Sequence, residues 1–151
     1  MKVPWMALLL CVLPGTVFGQ THPAARAARE WRQQHEHAIV SEFVSLLAIP
    51  NISRDRNNIQ RNAEAIAGML ARRGVDAKLV SVPGSNPVVF GHIPTPGATR
   101  TIAFYAHYDG QPLDPAEWAS APFEPTLRDK PFEDGGRVVP VPDIGTPFNP
   151  E

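Results

Sequence analysis

The amino-acid sequence predicts an α/β fold. Two helical periodicities come first, three strand-like apolar runs follow, and the last run ends on His107-Tyr-Asp109-Gly-Gln-Pro112. Open α/β sheets place their ligands at that end of a strand. With 151 residues, 43% of them hydrophobic, the chain is long enough to form one domain around a core. A net charge of −1, and basic residues as scattered as Arg26, Arg29 and Arg32 on one solvated helix face, argue against a nucleic-acid partner.

The N-terminus reads as a signal peptide over residues 1–19. Lys2 supplies the positive start, Trp5 to Leu13 the short apolar run, and Pro14-Gly15 the break before Val17-Phe18-Gly19. The run is too short to span a bilayer, so export to the periplasm or outside the cell, with a cut before Gln20 and no stable membrane insertion, is expected. Cys11 does not suit lipidation, because Leu10 stands where a small residue is preferred. Cleavage removes this one cysteine. The mature chain then forms no disulfide, and any metal must be held by His, Asp or Glu.

Ile39, Phe43, Leu46 and Leu47 recur at i, i+4, i+7 and i+8, which predicts a helix from about Arg26 to Leu47, ended by Pro50. A second helix is predicted from about Asn58 to Arg73. Ile59, Ala63, Ile66 and Leu70 form its apolar face, Arg72-Arg73 complement the dipole, and Gly74 stops it. Val75 to Val82 and Pro87 to Ile93 read as strands around Pro83-Gly84-Ser85-Asn86. Arg100 to Ala106 reads as a third, and its continuous apolar run suggests a central strand buried on both faces. Nine of the 17 prolines then fall between Pro112 and Pro150, so residues 111–151 are expected to form an extended, Pro-rich loop segment.

Side chains two apart on an extended chain point to the same side, so His107 and Asp109 can reach one site together. A neutral imidazole is a good zinc ligand, and a carboxylate that takes its other ring N–H fixes its orientation. Beyond them run Gln111-Pro-Leu-Asp-Pro-Ala-Glu-Trp118, Pro122-Phe-Glu-Pro125 and Arg128-Asp129. This stretch resembles the zinc exopeptidase family of carnosinase-type dipeptidases, carboxypeptidase G, peptidase T and the aminoacylases, most closely its dipeptidase branch. The family segment reads approximately A-H-Y-D-x-Q-P, a spacer with W, then P-F-x-P and R-D. Ala106, His107, Tyr108, Asp109, Gln111, Pro112, Trp118, Pro122, Phe123, Pro125, Arg128 and Asp129 match it, and Gly110 stands where Val is usual.

The resemblance implies the first part of an α/β/α sandwich with a mixed sheet, incomplete over residues 20–151, and a secreted metallopeptidase acting on small peptides, a homodimer in its full-length form. It implies two zinc ions per complete site, His107 as ligand to one of them, and Asp109 as the carboxylate that orients His107. The family's bridging aspartate, in a D-D-K or D-x-K-G motif, and its Glu-Glu pair have no counterpart here. Asp114, Asp129, Asp134 and Asp143 stand outside such motifs, so the chain by itself is expected to be inactive. His35 and His37 point about 200° apart on a helix and do not chelate one ion. His22 and His92 read as solvated or structural, and Trp118 and Phe123 as loop-packing aromatics. An N-acyl amino acid amidohydrolase, or a secreted binding module without catalysis, are the rival readings.

Overall fold

The computed structural model describes residues 22–142 and Phe148. The expected leader, Cys11, the cut before Gln20 and Asp143 lie outside the described residues. The chain divides into two units, residues 1–34 and 35–151. In the first, α1 spans Pro23–Gln34 and buries none of its residues. Pro23 occupies a first-turn position that needs no N–H partner, and His22 Nδ1 accepts the Ala24 N–H at 3.2 Å.

The single helix expected over residues 26–47 is interrupted at His35, whose backbone sits at φ −119° and ψ 13°. In the second unit α2 therefore begins at Glu36 and runs to Leu47. No Gly or Pro lies between Ala25 and Ala48, so nothing in the local sequence announces this break. Ile39 and Leu46 of the predicted stripe are half-buried, whereas Phe43 and Leu47 stay exposed.

Helix α3, Arg56–Arg72, is the anchor of this unit. Asp55 caps it: its carboxylate accepts the Asn58 N–H at 3.1 Å and the Asn58 side-chain amide at 2.6 Å. Those hydrogen bonds, the side-chain one foremost, hold the Asp55 carboxyl below its ordinary range. The helix starts two residues before the expected Asn58 because this cap, not the apolar periodicity, sets the boundary. Its C-terminus is a Schellman arrangement, with Gly74 at φ 75°. Val75 N–H reaches Leu70 O at 3.1 Å, and Gly74 N–H reaches Ala71 O at 2.9 Å.

Of the predicted face of α3, Ile59 and Ala63 are fully buried and Ile66 and Leu70 half-buried. Burying Ile59 stabilises the fold by about 1.5–3 kcal/mol. Asn62 lies between them with 3% of its surface exposed. Its amide donates to Pro50 O at 2.8 Å and to Asn58 O at 2.9 Å, which ties the chain entering α3 to the helix. Glu42 of α2 pairs with Arg73, and with Arg72 at 2.7 Å, joining the two helices.

Strands β1, Asp76–Val80, and β2, Val88–His92, form an antiparallel hairpin in which Ala77 faces Gly91 and Leu79 faces Val89. Helix α3 packs against both strands. Ala77, Leu79 and Val89 are half-buried, while Val80, Val88 and Phe90 stay exposed, with Lys78 Nζ 5.5 Å from the Phe90 ring centre. The turn between the strands is anchored to the start of α3. Arg56 donates to Gly84 O at 2.9 Å, and the Asn86 amide donates to Ser53 O at 2.9 Å.

The third strand expected over 100–106 does not form. This stretch joins no sheet, and Ile102, Phe104 and Tyr105 are 77, 94 and 91% exposed. A strand buried on both faces needs a hydrogen-bonded neighbour and a covering layer on each side, and the described residues supply neither. The described structure is thus a mixed α/β arrangement of three helices and one two-stranded antiparallel sheet.

Beyond residue 110 the chain is irregular, with two short 3-10 helices at Pro115–Glu117 and Phe132–Asp134. Asp114 caps the first by accepting the Ala116 N–H at 2.9 Å. Residues 127–139 form a tight loop closed by the antiparallel bridge between Arg128 and Val138. No helix among the described residues is long and apolar enough to cross a membrane.

Candidate metal site

The segment 107–110 is fastened where it meets the start of α3. Gly110 forms a parallel bridge with Ile52: Gly110 N–H donates to Asn51 O at 2.7 Å, and Ser53 N–H donates to Gly110 O at 2.9 Å. The Asn51 side-chain amide donates to Tyr108 O at 3.1 Å. The Tyr108 hydroxyl donates to Pro87 O, just before β2. Burial, and then the Asp109 carboxylate, push the Tyr108 phenol above its ordinary range, which keeps it protonated as the donor of that bond.

With Tyr108 turned to Pro87, its neighbours on the alternating backbone fall together on the other side. His107 Nδ1 lies 2.9 Å from the Asp109 backbone oxygen and 3.5 Å from its carboxylate Oδ1. A carbonyl oxygen only accepts, so Nδ1 carries a proton, and in the neutral ring Nε2 then keeps the lone pair that a metal needs. The structure thereby brings the two predicted residues together, with one refinement. The orienting contact is made by the main chain of Asp109, and its carboxylate stands just beyond good hydrogen-bond distance. The His107 side chain is 72% exposed, open to a ligand.

His107 and Asp109 border an open cavity of about 1550 Å³. Leu46, Ile66 and Leu70 line it from the helices, and Trp118, Phe123 and Phe132 from the irregular segment beyond residue 110. Trp118 is exposed, and Phe123 is half-buried at φ 62°, a conformation a bulky side chain rarely adopts. A cleft lined by aliphatic and aromatic side chains, with polar groups among them, suits a small organic ligand.

The remaining predicted residues lie apart from this corner or serve the backbone. Arg128 donates to Gly136 O at 2.9 Å and to Ser120 Oγ at 2.7 Å, and its guanidinium sits 5.2 Å from the Phe132 ring centre. Asp129 accepts the Arg137 N–H at 2.7 Å, and that bond holds its carboxyl below the ordinary range. Both therefore close the 127–139 loop. Asp114 caps a 3-10 turn and Asp134 lies in the second one. His35 precedes α2, the His37 ring packs 4.9 Å from Phe148, and His92 ends β2. Among the described residues no three His, Cys, Asp or Glu side chains gather around one metal position.

Asn51 carried no signal in the sequence, because what it does depends on a contact with a residue 57 positions away. Gly110, where the resembled segment carries Val, is explained by the same contact: a Cβ on it would come within 2.9 Å of Asn51 Oδ1. No protein-family model matches this chain, and no curated protein or solved structure matches it significantly.

Proposed function

We propose that this chain carries one wall of the metal site of a secreted, zinc-dependent hydrolase of peptide bonds, of the dipeptidase or carboxypeptidase type. The α/β/α sandwich belongs to the same proposal, with α3 and the hairpin as part of it. The observation that supports the reading is the imidazole of His107 held by Nδ1 on Asp109, at the rim of an apolar cleft and inside a segment similar to the family's. The residues fit zinc in donor chemistry: an oriented neutral imidazole offers Nε2.

His107 would donate one lone pair. The Asp109 carboxylate, 3.5 Å from Nδ1, would favour the positive charge that builds on the ring as that pair is given up. Bound zinc supplies polarisation of a scissile carbonyl and a coordinated water whose pKa falls towards about 7. One imidazole does not complete a site for two ions, so the further ligands, the bridging carboxylate and the general base come from outside the described residues. Leu46, Ile66 and Leu70 would exclude water on one side of the substrate.

Zinc titration of the full chain against a chromophoric chelator tests the first step. Weak binding with a component lost in His107→Ala, and largely kept in Asp109→Asn, is expected. Joined to sequence that supplies the D-D-K and Glu-Glu motifs, the chain should hydrolyse dipeptides, and His107→Ala should lower the rate by orders of magnitude. Full activity in that variant overturns the reading, and turnover of N-acyl amino acids in place of dipeptides redirects its substrate class.

A further inference from the structure

Two groups of Asn51 act on the candidate site at once. Its main-chain oxygen takes the Gly110 N–H at 2.7 Å, and its side-chain amide reaches back to Tyr108 O at 3.1 Å. Together they span the peptide units that carry Asp109. The space needed for this exists because residue 110 has no side chain: a Cβ there would lie 2.9 Å from Asn51 Oδ1, 3.3 Å from Cγ and 3.4 Å from Nδ2. Within the segment so held, the Asp109 carbonyl lies 2.9 Å from His107 Nδ1.

We propose that Asn51 is a positioning residue of the candidate metal site, filling the space beside Gly110 and holding Tyr108 O so that His107 is presented as the Nδ1–H tautomer with Nε2 free. The inference rests on the reading above only in taking His107 as the ligand. An unrestrained, solvated imidazole populates both tautomers, and the hydrogen bond made by one nitrogen decides which proton position dominates. Asn51 touches neither ring atom. It acts through the backbone of residues 108–110, so removing its side chain should release the Asp109 carbonyl and the tautomer with it.

The test is nitrogen NMR of the full chain with labelled histidine, without metal and at mildly alkaline pH. The native chain should show His107 mainly as Nδ1–H. Asn51→Asp, which keeps the side chain's size and replaces its donor by an acceptor, should shift the ratio several-fold towards Nε2–H. Gly110→Ala, which displaces the Asn51 amide from the other side, should do the same, with the β1–β2 amide signals unchanged in both. A native ring that is not mainly Nδ1–H, or variants with an unaltered ratio, overturn the proposal. Loss of the β1–β2 signals in both variants also counts against it, since Asn51 would then be a folding residue. Because no metal is present, a failed zinc titration leaves this result standing, and an unaltered tautomer leaves the zinc reading standing.

Discussion

Gly91 of β2 lies directly beneath Leu70 of α3: a Cβ on Gly91 would stand 3.4 Å from Leu70 Cδ1 and 2.9 Å from Val75 Cγ1. The missing side chain leaves room chiefly for Val75, which leads from α3 into β1, with Leu70 next to it. Gly91→Val should therefore overpack this contact and cost about 1–3 kcal/mol, although Val suits a strand better than Gly does. Denaturant unfolding checks it, and a variant as stable as the native chain would show that the close approach is unimportant.

Asn62 is buried with both of its amide hydrogen bonds made to main-chain oxygens. Asn62→Ala removes the donor and leaves Pro50 O without it. A loss of about 1–3 kcal/mol is expected by the same measurement. Fast amide exchange should appear first around residues 50–53.

Glu42 holds α2 to α3 through Arg73 and Arg72, and the hydrogen bond from Arg73, followed by that from Arg72, draws its carboxyl from 4.5 down to about 2. A depressed carboxyl favours the folded state above its ordinary value, and that contribution fades as pH falls from about 4.5 towards 2. The pair is open to solvent, so added salt should weaken it. Melting temperature followed across this pH range should fall less steeply in Glu42→Gln than in the native chain. Identical pH profiles would contradict the role given to the pair.

Arg128→Lys keeps the charge but not the planar fork that serves Gly136 O and Ser120 Oγ together. The amides of Asp129 and Val139, which donate to Arg137 O and Leu127 O across the loop, should then exchange faster. The hairpin β1–β2 should be unaffected.

Ile102, Phe104 and Tyr105 are too exposed to contribute much to folding. Ile102→Ser and Phe104→Ser should change stability by no more than about 0.5 kcal/mol, while binding of a hydrophobic dye falls. A large destabilisation would mean that the stretch is buried in solution.

Several elements were legible because their causes are local. The apolar positions Ile59, Ala63, Ile66 and Leu70, and Gly74 mark the body and C-terminal stop of α3, whose Schellman bonds need nothing beyond the helix itself, whereas the start at Arg56, set by the Asp55 cap, is not legible in the periodicity. The hairpin followed from two β-prone runs around Pro83-Gly84-Ser85-Asn86. Side-chain alternation predicts a contact of His107 with the Asp109 carboxylate; the nearer contact is with the Asp109 main-chain oxygen, and the carboxylate stands 3.5 Å away.

What the sequence by itself determined, then, is the set of features governed by neighbours within a turn or two: the body of α3 with its C-terminal stop, and the hairpin. Tertiary structure alone decided the rest. The helix break at His35 has no local punctuation, and the apolar run at 102–106 stays unpaired because burial depends on covering layers and not on the run's own composition. Likewise Asn51 reaches Tyr108 and Gly110, and Tyr108 reaches Pro87, across tens of residues. Contacts between residues tens of positions apart are set by packing, and no periodicity or spacing along the chain encodes them.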